Sequence, residues 1–133
     1  MKKIIYLLTI IIGLSSCSSS DDDDTTLAKD SLIGTWQLTS SKEAGVETST
    51  ECTRKNTLTF LENSNASVLG FYEEDNVCES ESGTFTWVSN GNSNYTFNFG
   101  GGNTETYGIT FSQNNTVFSV TIDTNEVETY QKN

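Results

Sequence analysis

Tyr95-Thr96-Phe97-Asn98-Phe99-Gly100-Gly101-Gly102-Asn103-Thr104-Glu105-Thr106-Tyr107-Gly108-Ile109-Thr110-Phe111 decides the fold. On both sides of a glycine run, apolar and aromatic residues recur at every second position. A period of two puts Tyr95, Phe97 and Phe99 on one face of a strand and Tyr107, Ile109 and Phe111 on one face of the next. The glycines supply the positive φ that a tight hairpin turn needs. So short a connector forces antiparallel neighbours, because parallel pairing requires a long crossover.

The alternation continues outward from this hairpin. Trp36 and Leu38 share a face in residues 34–40, as do Leu58 and Phe60 in residues 56–61. Residues 66–72 carry Val68, Gly70 and Tyr72 on one side and Leu69 and Phe71 on the other. Phe85 and Trp87 alternate with threonines, and Phe118, Val120 and Ile122 alternate with Ser119 and Thr121. Residues 126–131, with Val127 opposite in parity to Tyr130, complete eight expected strands. Asn63-Ser64-Asn65, Asn90-Gly91-Asn92, Asn114-Asn115 and Asp123-Thr124-Asn125 supply further turns. Residues 41–53 and 73–81 are expected to be longer loops. Eight antiparallel strands in meander order leave exposed edges unless the sheet closes. The expected fold is therefore an all-β, eight-stranded antiparallel up-and-down barrel, whose interior is filled by side chains or holds one small ligand. An open β-sandwich is the alternative.

Composition narrows the function. The 133 residues contain 18 acidic and 7 basic side chains, a formal charge of −11. Such a surface repels phosphate backbones and argues against nucleic acid as a partner. Histidine is absent, which removes imidazole acid–base chemistry, the usual triads and histidine metal sites. Glu73, Glu74, Asp75, Glu79 and Glu81 form the densest acidic group, but their spacing matches no Ca²⁺ loop, and solvated charge accounts for them. We expect no enzyme, no catalytic residue, no cofactor and no metal.

The amino-terminal region points outside the cytoplasm. Lys2 and Lys3 precede an apolar run over residues 4–14, too short for a membrane-spanning helix and laid out like a secretory signal. Leu14-Ser15-Ser16-Cys17 resembles the lipobox of bacterial lipoproteins, which implies cleavage after residue 16, fatty acylation of Cys17 and a membrane as partner through that anchor. The alternative is an ordinary secretory signal with a chance cysteine. Ser18–Ser20 and Asp21–Asp24 read as an extended, solvated tether over residues 17–31. The tether resembles the serine-plus-acidic export signal of Bacteroidetes lipoproteins, which implies the outer face of the outer membrane. Asp24-Thr25-Thr26 and Asp30-Ser31-Leu32 resemble that phylum's O-glycosylation motif, at Thr25 and Ser31. In an oxidising compartment Cys52 and Cys78 read as one disulfide. A two-cysteine metal site lacks the other ligands it would need.

Residues 32–133 leave room for one domain. Gly34-Thr35-Trp36 resembles the Gly-x-Trp signature of lipocalins. The order of Leu32–Leu38, Cys52–Phe60, Cys78 and Gly83–Trp87 resembles the small lipocalin-like domains of Bacteroidetes lipoproteins. That resemblance implies a barrel closed at one end by Gly34 and Trp36. The chain is shorter than full lipocalins and has no helical pattern after the last strand, so the resemblance does not set the size of a cavity. Two functions follow. One is an outer-membrane-anchored protein binding a small hydrophobic or amphipathic ligand, with Trp87, Tyr95, Phe97, Tyr107 and Phe118 as candidate lining. The other is a non-enzymatic accessory subunit of an envelope complex, with a packed interior.

Overall fold

The computed structural model describes residues 28–133. The expected signal segment, Cys17 and the expected tether up to residue 27, including Thr25, lie outside the described residues. The strands are β1 (Gly34–Glu43), β2 (Val46–Glu47), β3 (Thr57–Phe60), β4 (Asn65–Glu74), β5 (Val77–Gly91), β6 (Asn94–Gly100), β7 (Asn103–Ser112), β8 (Val117–Asp123) and β9 (Glu126–Lys132). All pairings are antiparallel between chain neighbours, apart from β1 with β3 and β1 with β9. The β1–β9 ladder closes eight of the nine strands into a barrel, with β2 a two-residue addition to the β1 edge. The up-and-down barrel is the expected one, and the closing ladder rules out the open sandwich.

Tight turns separate the strands. Two-residue connections at Ala44-Gly45, Asp75-Asn76, Asn92-Ser93 and Gly101-Gly102 all have positive φ at both positions. Their twist matches that of the flanking strands. Bulges interrupt the ladders near Ser89/Gly91, Asn98/Gly100 and Thr121/Asp123, at the hairpin ends, where the added bend helps a sheet curl on itself.

The expected loop over residues 73–81 is instead the far end of the β4–β5 hairpin. These strands pair continuously from Asn65 opposite Thr86 to Glu74 opposite Val77. β3 leaves β4 at Leu69, and β6 joins β5 only from Thr86 onward. The ribbon from Gly70 to Glu81 therefore projects past both neighbours. Beyond Tyr72, water reaches both of its faces, so residues 73–81 have no core-facing alternation to mark them as strand. Residues 48–56, in contrast, form a true connection, with a 3-10 turn at Thr53–Lys55. Three contacts tie this connection to the ribbon. Cys52 and Cys78 form a disulfide with a Cα–Cα distance of 5.6 Å. The Phe71 N–H donates to the Asn56 side chain, and Lys55 Nζ lies 5.9 Å above the Phe71 ring.

One end of the barrel is sealed by a plug. Leu32 and Trp36 are fully buried. Trp36 Nε1 donates to the Leu32 carbonyl at 2.7 Å, and its ring meets Phe118 edge-on at 4.7 Å. Lys132 Nζ lies 4.9 Å over the indole and donates to the Ser31 carbonyl at 3.2 Å. Gly34 has φ +137°, and a Cβ there would stand 2.6 Å from Lys132 Cε. Glycine thus fits this place both by conformation and by space. Asp30, two residues ahead of the plug, accepts from the Leu32 N–H and the Tyr95 hydroxyl, each at 2.9 Å.

The disulfide closes a loop with a sequence separation of 26. Chain entropy assigns such a cross-link roughly 3.5 kcal/mol. Replacing both Cys52 and Cys78 with serine is expected to lower the unfolding free energy by up to that amount in urea titrations. The β-sheet circular dichroism should be retained, because the ribbon lies outside the closing ladder. Loss of the β signal would show that the staple, and not the ladder, holds the barrel.

Candidate functional site

Side chains of the same parity on all eight barrel strands point inward, and their sizes are uneven along the axis. Toward the plug, Trp36, Trp87, Tyr95 and Phe111 fill the interior. Trp87 packs against Tyr95 at 6.0 Å between ring centroids, and Tyr95 against Phe111 at 6.4 Å. All three polar tips in this layer are satisfied, Trp36 Nε1 by the Leu32 carbonyl, Trp87 Nε1 by the Leu61 carbonyl at 3.2 Å and the Tyr95 hydroxyl by Asp30. Toward the opposite end, marked by the Gly101-Gly102 and Thr124-Asn125 turns, the side chains fill the interior incompletely, although Phe60 and Phe97 still meet from non-adjacent strands at 5.7 Å. The unfilled space is a cavity of about 180 Å³.

Aromatic rings dominate the cavity wall: Phe60, Phe85, Phe97, Phe99, Tyr107 and Phe118. Leu58, Val68, Ile109, Val120 and Ile122 supply the aliphatic part. The rings hold one another at tilted and edge-on angles, with centroids 5.8 Å apart for Phe60–Phe85, 5.5 Å for Phe85–Phe97 and 5.6 Å for Phe97–Tyr107. Such packing fixes the wall without filling the centre. Of the five lining residues expected from sequence, Phe97, Tyr107 and Phe118 line the cavity. Trp87 and Tyr95 do not. They sit a layer nearer the plug, where their own bulk and their hydrogen bonds to Leu61 and Asp30 consume the space.

Two cavity residues of β9 were missed by the sequence reading: Glu128 and Tyr130. The Tyr130 hydroxyl donates to Glu128 Oε2 at 2.7 Å, and its ring stacks on Phe118 at 4.9 Å. Burial raises the Glu128 carboxyl above its ordinary value, with the nearby Glu126 charge adding to the rise and the Tyr130 hydrogen bond opposing it. The Tyr130 hydroxyl is itself pushed up, by burial first and then by the Glu128 charge. Parity was the signal that could have found Glu128, since Val127 and Tyr130 lie on opposite faces and Glu128 shares the face of Tyr130.

Nearer the rim, Ser41 Oγ approaches Glu126 Oε1 at 3.4 Å, and the Tyr107 hydroxyl donates to Glu105. Glu47 sits outside the rim. Hydrogen bonds from the Ser40 and Ser49 hydroxyls pull its carboxyl down to about 2. The acidic residues of the ribbon do not converge. Among the described residues no group of three or more His, Cys, Asp or Glu is placed to hold a metal ion.

The profile of the lipocalin-like domain matches residues 32–119. The chain belongs to this family. The matched span takes in Gly34 and Trp36 at the plug and both halves of the Cys52–Cys78 bridge. No curated protein matches the chain. The match ends before β9 (Glu126–Lys132), so Glu128 and Tyr130 lie beyond it.

The raised Glu128 carboxyl has a consequence for stability. The folded barrel holds this proton more tightly than the unfolded chain does, where the ordinary value is 4.5. Glu128 therefore costs nothing below that value, and its cost grows as pH rises through the folded-state value. Glu128→Gln keeps an acceptor for Tyr130 and removes the charge. The difference in Tm between Glu128→Gln and the parent is expected to grow in favour of the variant from pH 4 to pH 8. Parallel Tm curves would mean that the carboxylate is as well solvated in the barrel as in the unfolded chain.

Proposed function

We propose that this protein is a lipid-anchored, non-enzymatic binding protein of the cell envelope, and that its barrel holds one small apolar or amphipathic molecule. The cavity of about 180 Å³ is the observation that carries the reading. A packed structural barrel has no reason to leave such a space, because unfilled volume in a core costs stability. An engineered apolar cavity of about 150 Å³ admits benzene, so the occupant is on the scale of a single ring or a short branched chain. The rings of the wall supply contact area, and Glu128 and Tyr130 supply polar groups that can orient a ligand.

The sequence Leu14-Ser15-Ser16-Cys17 supports the anchor, with acyl chains on Cys17 holding the domain at the outer membrane. The serine and aspartate run from Ser18 to Asp24 supports export to the cell surface, with the domain displayed on an extended tether. The lack of histidine, and among the described residues the lack of a gathered set of metal-ligating carboxylates, supports a role without catalysis.

Fluorobenzene, followed by ¹⁹F NMR, tests the cavity. The parent protein is expected to broaden and shift its resonance saturably. Val120→Phe, which places a ring into the space, should lose at least nine-tenths of that effect while keeping its β-sheet circular dichroism. Absence of saturable binding by the parent would leave a packed, accessory barrel as the better account. The anchor is tested separately by labelling cells with a radioactive fatty acid. The label should follow the protein and vanish in Cys17→Ser, and an unlabelled parent would end the lipoprotein assignment.

A further inference from the structure

The ligand-binding reading leaves the chemical class of the occupant open, and the distribution of charge narrows it. Glu128 is the charged residue of the cavity wall. One of its oxygens accepts from Tyr130, and the other has no hydrogen-bond partner among the described residues. Neither ion pair among the described residues involves it: Lys29 pairs with Glu62, and Arg54 lies 3.7 Å from Glu47. The remaining described cations are also engaged elsewhere or face away. Lys55 lies over Phe71, Lys132 lies over Trp36 at the plug, and Lys42 stands opposite Val127 on the outer face of the sheet. A half-buried carboxylate thus faces an aromatic chamber with no counter-ion among the described residues.

We propose that the cavity takes a small organic cation, an ammonium group on a single-ring or branched apolar body, with Glu128 as its counter-ion. This rests on the ligand-binding reading above. Three features converge on it. The faces of aromatic rings attract ammonium groups, and rings enclosing a desolvated site do so most strongly. The cavity wall places seven such rings, Tyr130 included, around the space that Glu128 borders. Two more carboxylates, Glu105 on β7 and Glu126 on β9, have the same inward parity nearer the rim, so the approach to the cavity is acidic throughout. A concave site of one sign concentrates ions of the other, and the chain as a whole carries −11. An anionic ligand such as a fatty acid would meet the opposite: like charge at the rim and an unpaired carboxylate at the wall.

The groups facing Glu128 set the pH behaviour. They are Tyr130 and Glu126 on its own strand, Ser41 on β1 and, across the mouth, the Tyr107–Glu105 pair on β7. None of these is a cationic side chain that would offset the Glu128 charge. Affinity for an ammonium should therefore rise from pH 4 to pH 7 as Glu128 loses its proton.

Benzylamine, benzyl alcohol and phenylacetate present one ring with a cationic, neutral or anionic head. Titration into the full-length chain in lipid nanodiscs, with empty discs as the blank, compares them by isothermal calorimetry. Benzylamine is expected to bind at least tenfold more tightly than benzyl alcohol at pH 7, and phenylacetate more weakly than either. Glu128→Gln should bring benzylamine to within threefold of benzyl alcohol. In the parent protein, benzylamine affinity should rise at least fivefold from pH 4 to pH 7 while that of benzyl alcohol changes less than twofold. This second measurement needs no variant. Equal binding of benzylamine and benzyl alcohol by the parent overturns the cation assignment and leaves the ligand-binding reading standing. A tenfold preference that survives in Glu128→Gln overturns it as well, since general acidity would then suffice. Failure of all three probes to bind overturns both.

Discussion

β1 meets β9 along seven residue pairs, from Trp36 opposite Lys132 to Glu43 opposite Glu126. Without that ladder both strands would present a free row of N–H and C=O groups, and the two ends of the domain would be unconnected. With it, the first and last strands become neighbours and the sheet has an inside. The same ladder sets Lys132 over the Trp36 indole and brings it against Gly34. The plug is in this sense a by-product of closure. Residues distant in sequence meet there because the strands that bear them must pair.

Closure also divides the molecule into parts with different physics. At the plug, large rings and satisfied polar tips leave no space. In the other half, rings line a void and a carboxylate is held partly out of water. Each of those features costs stability, and they occur together in one chamber. The disulfide compensates at a third place, where the β4–β5 ribbon runs beyond its neighbours and has neither a core face nor a second ladder to hold it. A covalent tie to the Thr53–Lys55 turn supplies there what packing supplies elsewhere.

Most of the barrel was legible in the sequence, because each of its strands faces water on one side and the core on the other. That condition writes itself as alternation: Tyr95, Phe97 and Phe99 against Thr96 and Asn98, or Phe118 and Val120 against Ser119 and Thr121. The ribbon was not legible for the same reason. Its part beyond Tyr72, residues 73–81, sees solvent on both faces, so Glu73, Glu74 and Glu79 look like loop although they are paired strand. The lining of the cavity was half legible. Parity correctly placed Phe97, Tyr107 and Phe118 inside, but parity has no information about depth along the axis. Trp87 and Tyr95 have the right face and the wrong layer. Glu128 has the right face too, and a charge is ordinarily assigned to the outside.

What the sequence determined by itself was therefore local and periodic: strand identity, turn positions, inward faces, the antiparallel order and the pairing of Cys52 with Cys78. Each of these follows from residues close together or from the elimination of alternatives. The tertiary structure alone decided the register of β1 on β9, the layer at which each ring sits, and the emptiness of the chamber beside Glu128. Those depend on how far each strand is staggered against the next around a closed circuit, and stagger is a property of all eight strands at once. No single stretch of the chain contains it.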